Sequence, residues 1–170
     1  LDATREEAAQ ILQEALQEAH KEQFVNTKQY HNELTDTIIR ISRDALNRVT
    51  PPSVHAALID GLVKNILDMG RNQMQQVQSI RDSLIDRLPH AYVTAAAPLS
   101  SEQEMMLVRT FNALVDRDVN VDIEIDQSLI AGLKVRLGDV ILENSLSAQL
   151  DTIRAEIKES LELATQDHEG

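Results

Sequence analysis

The 170-residue chain has no cysteine and no tryptophan. Missing thiols exclude a disulfide framework, a thiolate nucleophile and any Cys-ligated zinc, and they permit a reducing compartment. Aromatic residues amount to 2 % of the chain, namely Phe24, Tyr30, Tyr92 and Phe111, against 42 % hydrophobic residues overall. A core here is therefore built from branched aliphatic side chains and Met, which long helices tolerate better than an aromatic-anchored sandwich does. Basic residues are also scarce: 16 Lys and Arg face 28 Asp and Glu, a formal net charge of -12. A phosphate-backbone binder needs clustered Lys and Arg, so this balance argues against nucleic acid as a partner. No apolar run reaches the roughly 18 residues of a membrane-spanning helix, and the start at Leu1 rather than Met suggests an excised fragment.

Residues 1–50 lack both glycine and proline, and they are crowded with Ala, Glu, Gln, Leu and Arg, all good helix formers. This stretch reads as one helix of roughly 70 Å at about 1.5 Å per residue. Steps of 4, 4 and 3 collect Ala8, Leu12, Leu16, Ala19, Gln23, Thr27, Tyr30, Leu34, Ile38, Ile41, Ala45 and Val49. A heptad continued from Leu12 and Leu16 would instead place Gln23, Asn26 and Glu33 on the stripe, so an 11-residue period fits better. That period predicts a straight or right-handed supercoil. The stripe is too narrow for the buried face of a bundle and long enough to pair with a second helix. Its candidate pairing residues are Leu12, Leu16, Ala19, Tyr30, Leu34, Ile38, Ile41 and Ala45. The alternative is a solvated helix folded back on the rest of the chain.

Pro51 and Pro52 stop this helix, and Ser53 is placed to cap a second one running to Leu88. Val54, Leu58, Leu62, Ile66, Met69, Val77, Ile80, Leu84 and Leu88 mark its apolar face, Met74 and Ile85 widen it, and Gly70 is a weak point or kink. Beyond Pro89 the apolar period shifts from helical to alternating. Ala91–Ala97 reads as a strand, and Ser100 and Ser101 with Gln103 and Glu104 form two overlapping capping boxes for a helix through Met105, Val108, Phe111, Leu114 and Val115. Val119, Val121, Ile123 and Ile125 alternate with Asn120, Asp122, Glu124 and Asp126, the pattern of a half-buried strand with an acidic outer face. Leu133–Leu137 and Val140–Glu143 flank Gly138-Asp139, a hairpin turn, and Ser145 caps a last helix with Leu146, Leu150, Ile153, Ile157 and Leu161 inward. The expected fold class is α+β: a long coiled-coil helix over 1–50, a second helix over 51–88, and over 89–170 a small mixed β-sheet domain with two packed helices.

The stretch Asp126-Gln127-Ser128-Leu129-Ile130-Ala131-Gly132-Leu133-Lys134-Val135-Arg136-Leu137-Gly138-Asp139, then Glu143-Asn144-Ser145-Leu146 and Gln149-Leu150, resembles the carboxy-terminal domain of the delta subunit, of the oligomycin-sensitivity-conferring type, in rotary ATP synthases. The resemblance covers about residues 91–160. Ala131 stands where that family usually has glycine, and Glu143 where it has aspartate. Ahead of this domain a delta subunit carries a compact helical bundle, whereas the long helix here is similar to the soluble part of the b subunit of the peripheral stalk. The composite resembles the long b-type subunits of alternate (N-type) ATPases, in which a delta-like domain is joined to the stalk helix.

The resemblance implies a non-catalytic stator subunit of a proton- or sodium-translocating ATP synthase, with no cofactor, on the cytoplasmic side of the membrane. The implied partners are the catalytic head, through amino-terminal segments of its alpha subunits, and a second stalk helix from the same or a sister b-type chain. The membrane is reached through a segment ahead of Leu1. Carried onto this sequence, the delta-like motif residues are Asp126, Ser128, Leu129, Ile130, Gly132, Gly138, Asp139, Ser145, Gln149 and Leu150.

Patterns that would carry chemistry are weak. There is no Gly-rich phosphate loop, since Gly132 and Gly138 sit between strands. His20 and His31 are 11 residues apart and share a helix face. They would approach their mates across a paired helix, but no acidic third ligand has metal spacing with them, and surface histidine on a charged helix is the simpler reading. Asp122 and Glu124 read as cross-sheet partners of Lys134 and Arg136 more readily than as a catalytic carboxylate pair. No nucleophile elbow occurs, so neither catalytic, cofactor-binding nor metal-binding residues are expected. Two other readings stay open: a generic coiled-coil adaptor and a stalk subunit of an A- or V-type ATPase.

Overall fold

The computed structural model describes residues 2–84 and 88–166. Helix α1 runs unbroken from Asp2 to Val49, as a stretch with no glycine or proline allows. The chain divides into two compact units, one of Leu1–Ile41 with Ile153–Gly170 and one of Ser42–Thr152.

In the Ser42–Thr152 unit, α2 (Pro52–Asn72) begins on Pro51 with no side-chain cap. Ser53 therefore does not play the capping part expected of it: proline at the first helical position has no N–H to satisfy and already holds a helical φ. The second helix, expected to continue to Leu88, breaks at Gln73, where φ -129 and ψ 57 leave the helical region, and resumes as α3 (Met74–Ser83). Gly70 stays helical. The break lets both pieces turn apolar faces to one core, with Ile59, Leu62, Val63, Ile66 and Met69 of α2 and Val77 and Ile80 of α3 buried. Met74, expected to widen the apolar face, is exposed at the first position of α3 after the break, Leu88 is exposed and not helical, and Ile85 lies outside the described residues.

Strands β1 (His90–Ala95), β2 (Asn120–Ile125), β3 (Gly132–Leu137) and β4 (Val140–Ser145) follow, with α4 (Ser101–Val115) between β1 and β2 and α5 (Leu146–Gln166) after β4. One of the two expected capping boxes forms: the Gln103 N–H donates to Ser100 Oγ at 3.2 Å and the Ser100 N–H to Gln103 Oε1 at 2.9 Å. The sheet has the order β2-β1-β3-β4, parallel between β1 and β2 and antiparallel elsewhere. This is the expected α+β architecture with a mixed sheet. Ala91, Val93, Ala95, Leu133, Val135 and Leu137 form one core with α2, α3 and the Leu107, Phe111 and Leu114 face of α4.

Two expectations about this sheet change. Asp122 and Glu124 do not pair with Lys134 and Arg136, because β1 lies between β2 and β3; Asp122 instead sits 2.6 Å from His90 Nε2, and Arg136 lies over the Tyr92 ring at 4.5 Å. The alternation in β2 does mark two faces, but β2 is an edge strand whose Ile123 and Ile125 remain 37 % and 44 % exposed.

In the other unit, α5 lies antiparallel along α1. Lys28 Nζ meets Glu162 at 2.7 Å, and Asp36 receives Arg154 Nε at 2.7 Å and Lys158 Nζ at 3.0 Å. Thr35 and Ile39 are the buried positions of α1 among the described residues. Ile153, expected inward, is exposed: Arg154, Lys158 and Glu162, spaced one turn apart, occupy the side of α5 turned toward α1.

Candidate functional site

Two surfaces are candidates. The first is the stripe of α1. Leu12, Leu16, Ala19, Tyr30, Leu34, Ile38, Ile41 and Ala45 are all exposed, and the six large ones range from 46 % at Leu34 to 63 % at Tyr30. The face that α1 uses within the chain is another one. It passes through Lys28, Asn32, Thr35 and Ile39, roughly a third of a turn away at about 100° per residue. A row of large apolar side chains on an otherwise charged helix is thus left without a cover among the described residues.

The second candidate is the segment from Asp126 to Leu150. Asp126 Oδ1 accepts the Ser128 N–H at 2.9 Å and starts a single 3-10 turn, Gln127–Leu129. A hydrogen bond from the Ser128 side chain, then this one from its N–H, assisted by the Lys134 charge, hold the Asp126 carboxyl below its usual range. Leu129 is buried and Ile130 adopts φ 68. Ala131, at the position where glycine was expected, is buried, so the left-handed steps fall on its two neighbours. Gly132 at φ 89 is one of them, and a Cβ there would run into the Asn144 carbonyl. Glycine is required on both counts.

The Gly132 N–H donates to His55 Nδ1 at 3.0 Å, its carbonyl accepts the Ala96 N–H at 3.0 Å, and the Asn144 side chain donates to the Leu58 carbonyl at 2.8 Å. One turn of α2 is thereby fastened to both strands of the hairpin. Gly138 takes φ 60, as its turn position predicts, and faces Ser83 of α3. Asp139 and Gln149 are exposed, whereas Leu150 is buried. Ser145 is fully buried; its Oγ accepts the Ala148 N–H at 3.0 Å and donates to Glu143 at 2.6 Å. Most motif residues thus close the sheet onto the helices, and Asp126, Ser128, Asp139 and Gln149 are those left facing outward.

His55, Arg81 and Arg117 escaped the sequence reading, which met Asn144 only as part of the motif run. Arg81 and Arg117 donate to the Leu114 and Leu84 carbonyls at 3.0 and 3.1 Å, tying the ends of α3 and α4 together. No local signal marks these contacts, because each joins residues more than 30 positions apart. His55 has one further property: its Nε2 is buried with no partner, and burial pushes its imidazole below the usual histidine pKa.

Among the described residues no group of three His, Asp or Glu could hold a metal ion, and no helix is long and apolar enough to cross a membrane. The cleft beside Lys28 and Lys158 is lined by the paired Lys28 and Glu162 together with Phe24, His31 and Leu161. The hollow at the α2–α3 break is lined by Leu62, Met69, Asp68 and the amides of Asn65, Asn72 and Gln76.

Residues 2–157 match the family described as ATP synthase delta (OSCP) subunit. Among curated proteins the chain is similar to the ATP synthase subunit delta of Cereibacter sphaeroides (strain ATCC 17029 / ATH 2.4.9), 44 % identical over 69 residues, which is 41 % of this chain and 37 % of that protein. It is also similar to the subunit of the same name in Chelativorans sp. (strain BNC1), 34 % identical over 111 residues, 61 % of this chain and 60 % of that protein. In Thermobifida fusca (strain YX) the figures are 29 % over 87 residues, 50 % and 32 %. The chain spans less than two thirds of the length of these relatives.

Proposed function

The chain belongs to the ATP synthase delta (OSCP) subunit family, and we propose that it is a non-catalytic peripheral-stalk subunit that holds the catalytic head of a rotary ATP synthase against rotor torque. The family match across residues 2–157 carries this reading. A stator needs attachment surfaces and stiffness rather than a reactive pocket, and the described residues offer two exposed surfaces and no assembled site. The finer assignment is the b-type arrangement with a delta-like domain, as in alternate ATPases. It is supported by the 48-residue α1 with its uncovered apolar stripe.

Under this reading residues 1–50 pair with a second stalk helix, from the same or a sister chain, and 51–88 form a helical connection. Residues 89–170 meet the head through amino-terminal segments of its alpha subunits. The membrane is reached through a segment outside this sequence, and the coupling ion is a proton or sodium.

The test uses the whole chain, because α2 and α3 share the core of the sheet and a cut near residue 88 would open it. Purified catalytic head stripped of its stalk is titrated with the chain and followed by sedimentation. We expect saturable binding with no change in the chemistry of the head itself. A head that leaves the chain free at micromolar concentrations would sink the stator reading.

A further inference from the structure

We propose that the open edge of β2 accepts an extended, alternately aliphatic and basic segment of another protein as a fifth strand of the sheet. The inference goes beyond the stator reading and does not rest on it. β2 ends the sheet. The Asn120 N–H donates to the Pro89 carbonyl and the Asp126 N–H to the Ala95 carbonyl, both at 2.9 Å, so the even-numbered residues turn their main-chain groups toward β1. Within a strand the N–H and C=O of one residue point to the same side and successive residues alternate. The N–H and C=O groups of Val121, Ile123 and Ile125 therefore line the outer edge. Every residue from 122 to 128 is exposed, so no other element of the described structure covers that edge.

The side chains on the two faces of β2 state what the added strand must carry. Ile123 and Ile125 lie on the face that the helices cover, yet stay 37 % and 44 % exposed at its margin. An incoming strand would extend the apolar layer if aliphatic residues stood beside them. Asp122 and Glu124 lie on the open face; Asp122 is contacted by His90, and Lys134 and Arg136 are two strands away. Positive side chains in the alternate positions would meet this acidic row. A second copy of the chain is the wrong occupant. Laid antiparallel about Ile123, two β2 strands would set Asp122 against Glu124, and like charges directly opposite destabilise a sheet. Acidic edges of this kind discourage self-pairing while leaving a basic strand free to add by main-chain hydrogen bonds.

The test titrates the full chain with a short synthetic peptide alternating Lys or Arg with Ile or Val. Binding is read by fluorescence anisotropy and by amide NMR shifts. We expect saturable binding, shifts centred on the amides of Val121, Ile123 and Ile125, and no binding when Glu replaces the basic residues. N-methylation of the peptide on its β2-facing amides should weaken binding at least tenfold. The Ile123→Pro variant should lose binding to a similar degree, because proline there removes an outward N–H and none of the bonds to β1. If that variant fails to fold, the N-methylated peptide decides. Binding indifferent to N-methylation, shifts centred away from β2, self-association of the chain through the same amides, or no binding of the basic peptide would each overturn the proposal.

Discussion

The two units of this chain are held together by different physics. Ser42–Thr152 has a closed aliphatic core around Phe111, Ile59, Ile66 and Ile80, all fully buried, and side chains that fasten helices to strands and to one another through main-chain groups. In the unit of Leu1–Ile41 with Ile153–Gly170, α1 buries Thr35 and Ile39 and the helices are joined by Lys28, Asp36, Arg154, Lys158 and Glu162 at partly exposed positions. Exposed ion pairs contribute little, because solvent screens them and holding two long side chains costs entropy. The first unit is self-sufficient by burial. The second leaves the large apolar side chains Leu12, Leu16, Tyr30, Leu34, Ile38 and Ile41 exposed.

The strongest way to break this contrast is a matched pair of substitutions. Phe111→Ala empties a fully buried aromatic site and should destabilise the Ser42–Thr152 unit by about 3 to 5 kcal/mol in chemical denaturation. Ile38→Asp, on the exposed stripe, should leave single-chain stability within about 0.5 kcal/mol. It should weaken self-association or pairing at least tenfold in sedimentation, while Arg40→Asp changes little. If Ile38→Asp destabilises the isolated chain as much as Phe111→Ala does, the stripe is core and the contrast fails.

Next in size is the hairpin. Gly132→Ala combines a left-handed φ with a collision against backbone, so it should cost about 2 kcal/mol or more. Gly138→Val should cost about 1 to 2 kcal/mol or more from strain at φ 60 and crowding against Ser83. Gly61→Ala meets the flexible end of Asn144 instead and should be milder. Denaturation midpoints in the reverse order would show that the motif glycines do not set the geometry.

Acid should separate the two units by the smallest but cleanest margin. His55 has a folded pKa below its ordinary 6.5, so the unfolded chain binds more protons in the window just beneath 6.5. Its contribution is fully present above pH 6.5 and is lost as pH falls through the folded value. Asp36 has its carboxyl lowered from 3.8 to about 2 by hydrogen bonds from Arg154 and then Lys158. Its contribution is present above 3.8 and fades as pH falls toward about 2. Amide exchange followed against pH should therefore show Ser42–Thr152 loosening first, and His55→Gln should flatten that early slope. Simultaneous loosening of both units, unchanged by His55→Gln, would contradict the assignment.

Much of this was readable in the sequence wherever the signal is local. The run to Pro51, the Ser100–Gln103 box, the turn at Gly138 and the cap at Ser145 all depend on residues within a few positions of one another. What failed was long-range. The alternation of Val121, Ile123 and Ile125 marks a face but does not say whether anything covers it, and charge pairing by type gave Asp122 the wrong neighbour because strand order is a property of the whole sheet. The break at Gln73 carries no glycine or proline; it is dictated by the core that two helical pieces share. The motif was recognisable, but its role as a clasp depends on His55 and Leu58, far upstream.

Ser145 is at once the last residue of β4 and the cap of α5. With no loop between strand and helix, there is nowhere for an added or deleted residue to be absorbed. One insertion before Ser145 would flip the alternate side chains of β4 to the wrong face, and one just after it would swing α5 by about 100°. Chain length across the β4–α5 junction is therefore fixed by geometry, and length variation among relatives should collect at the β3–β4 turn, the β1–α4 connection or ahead of Pro51 instead.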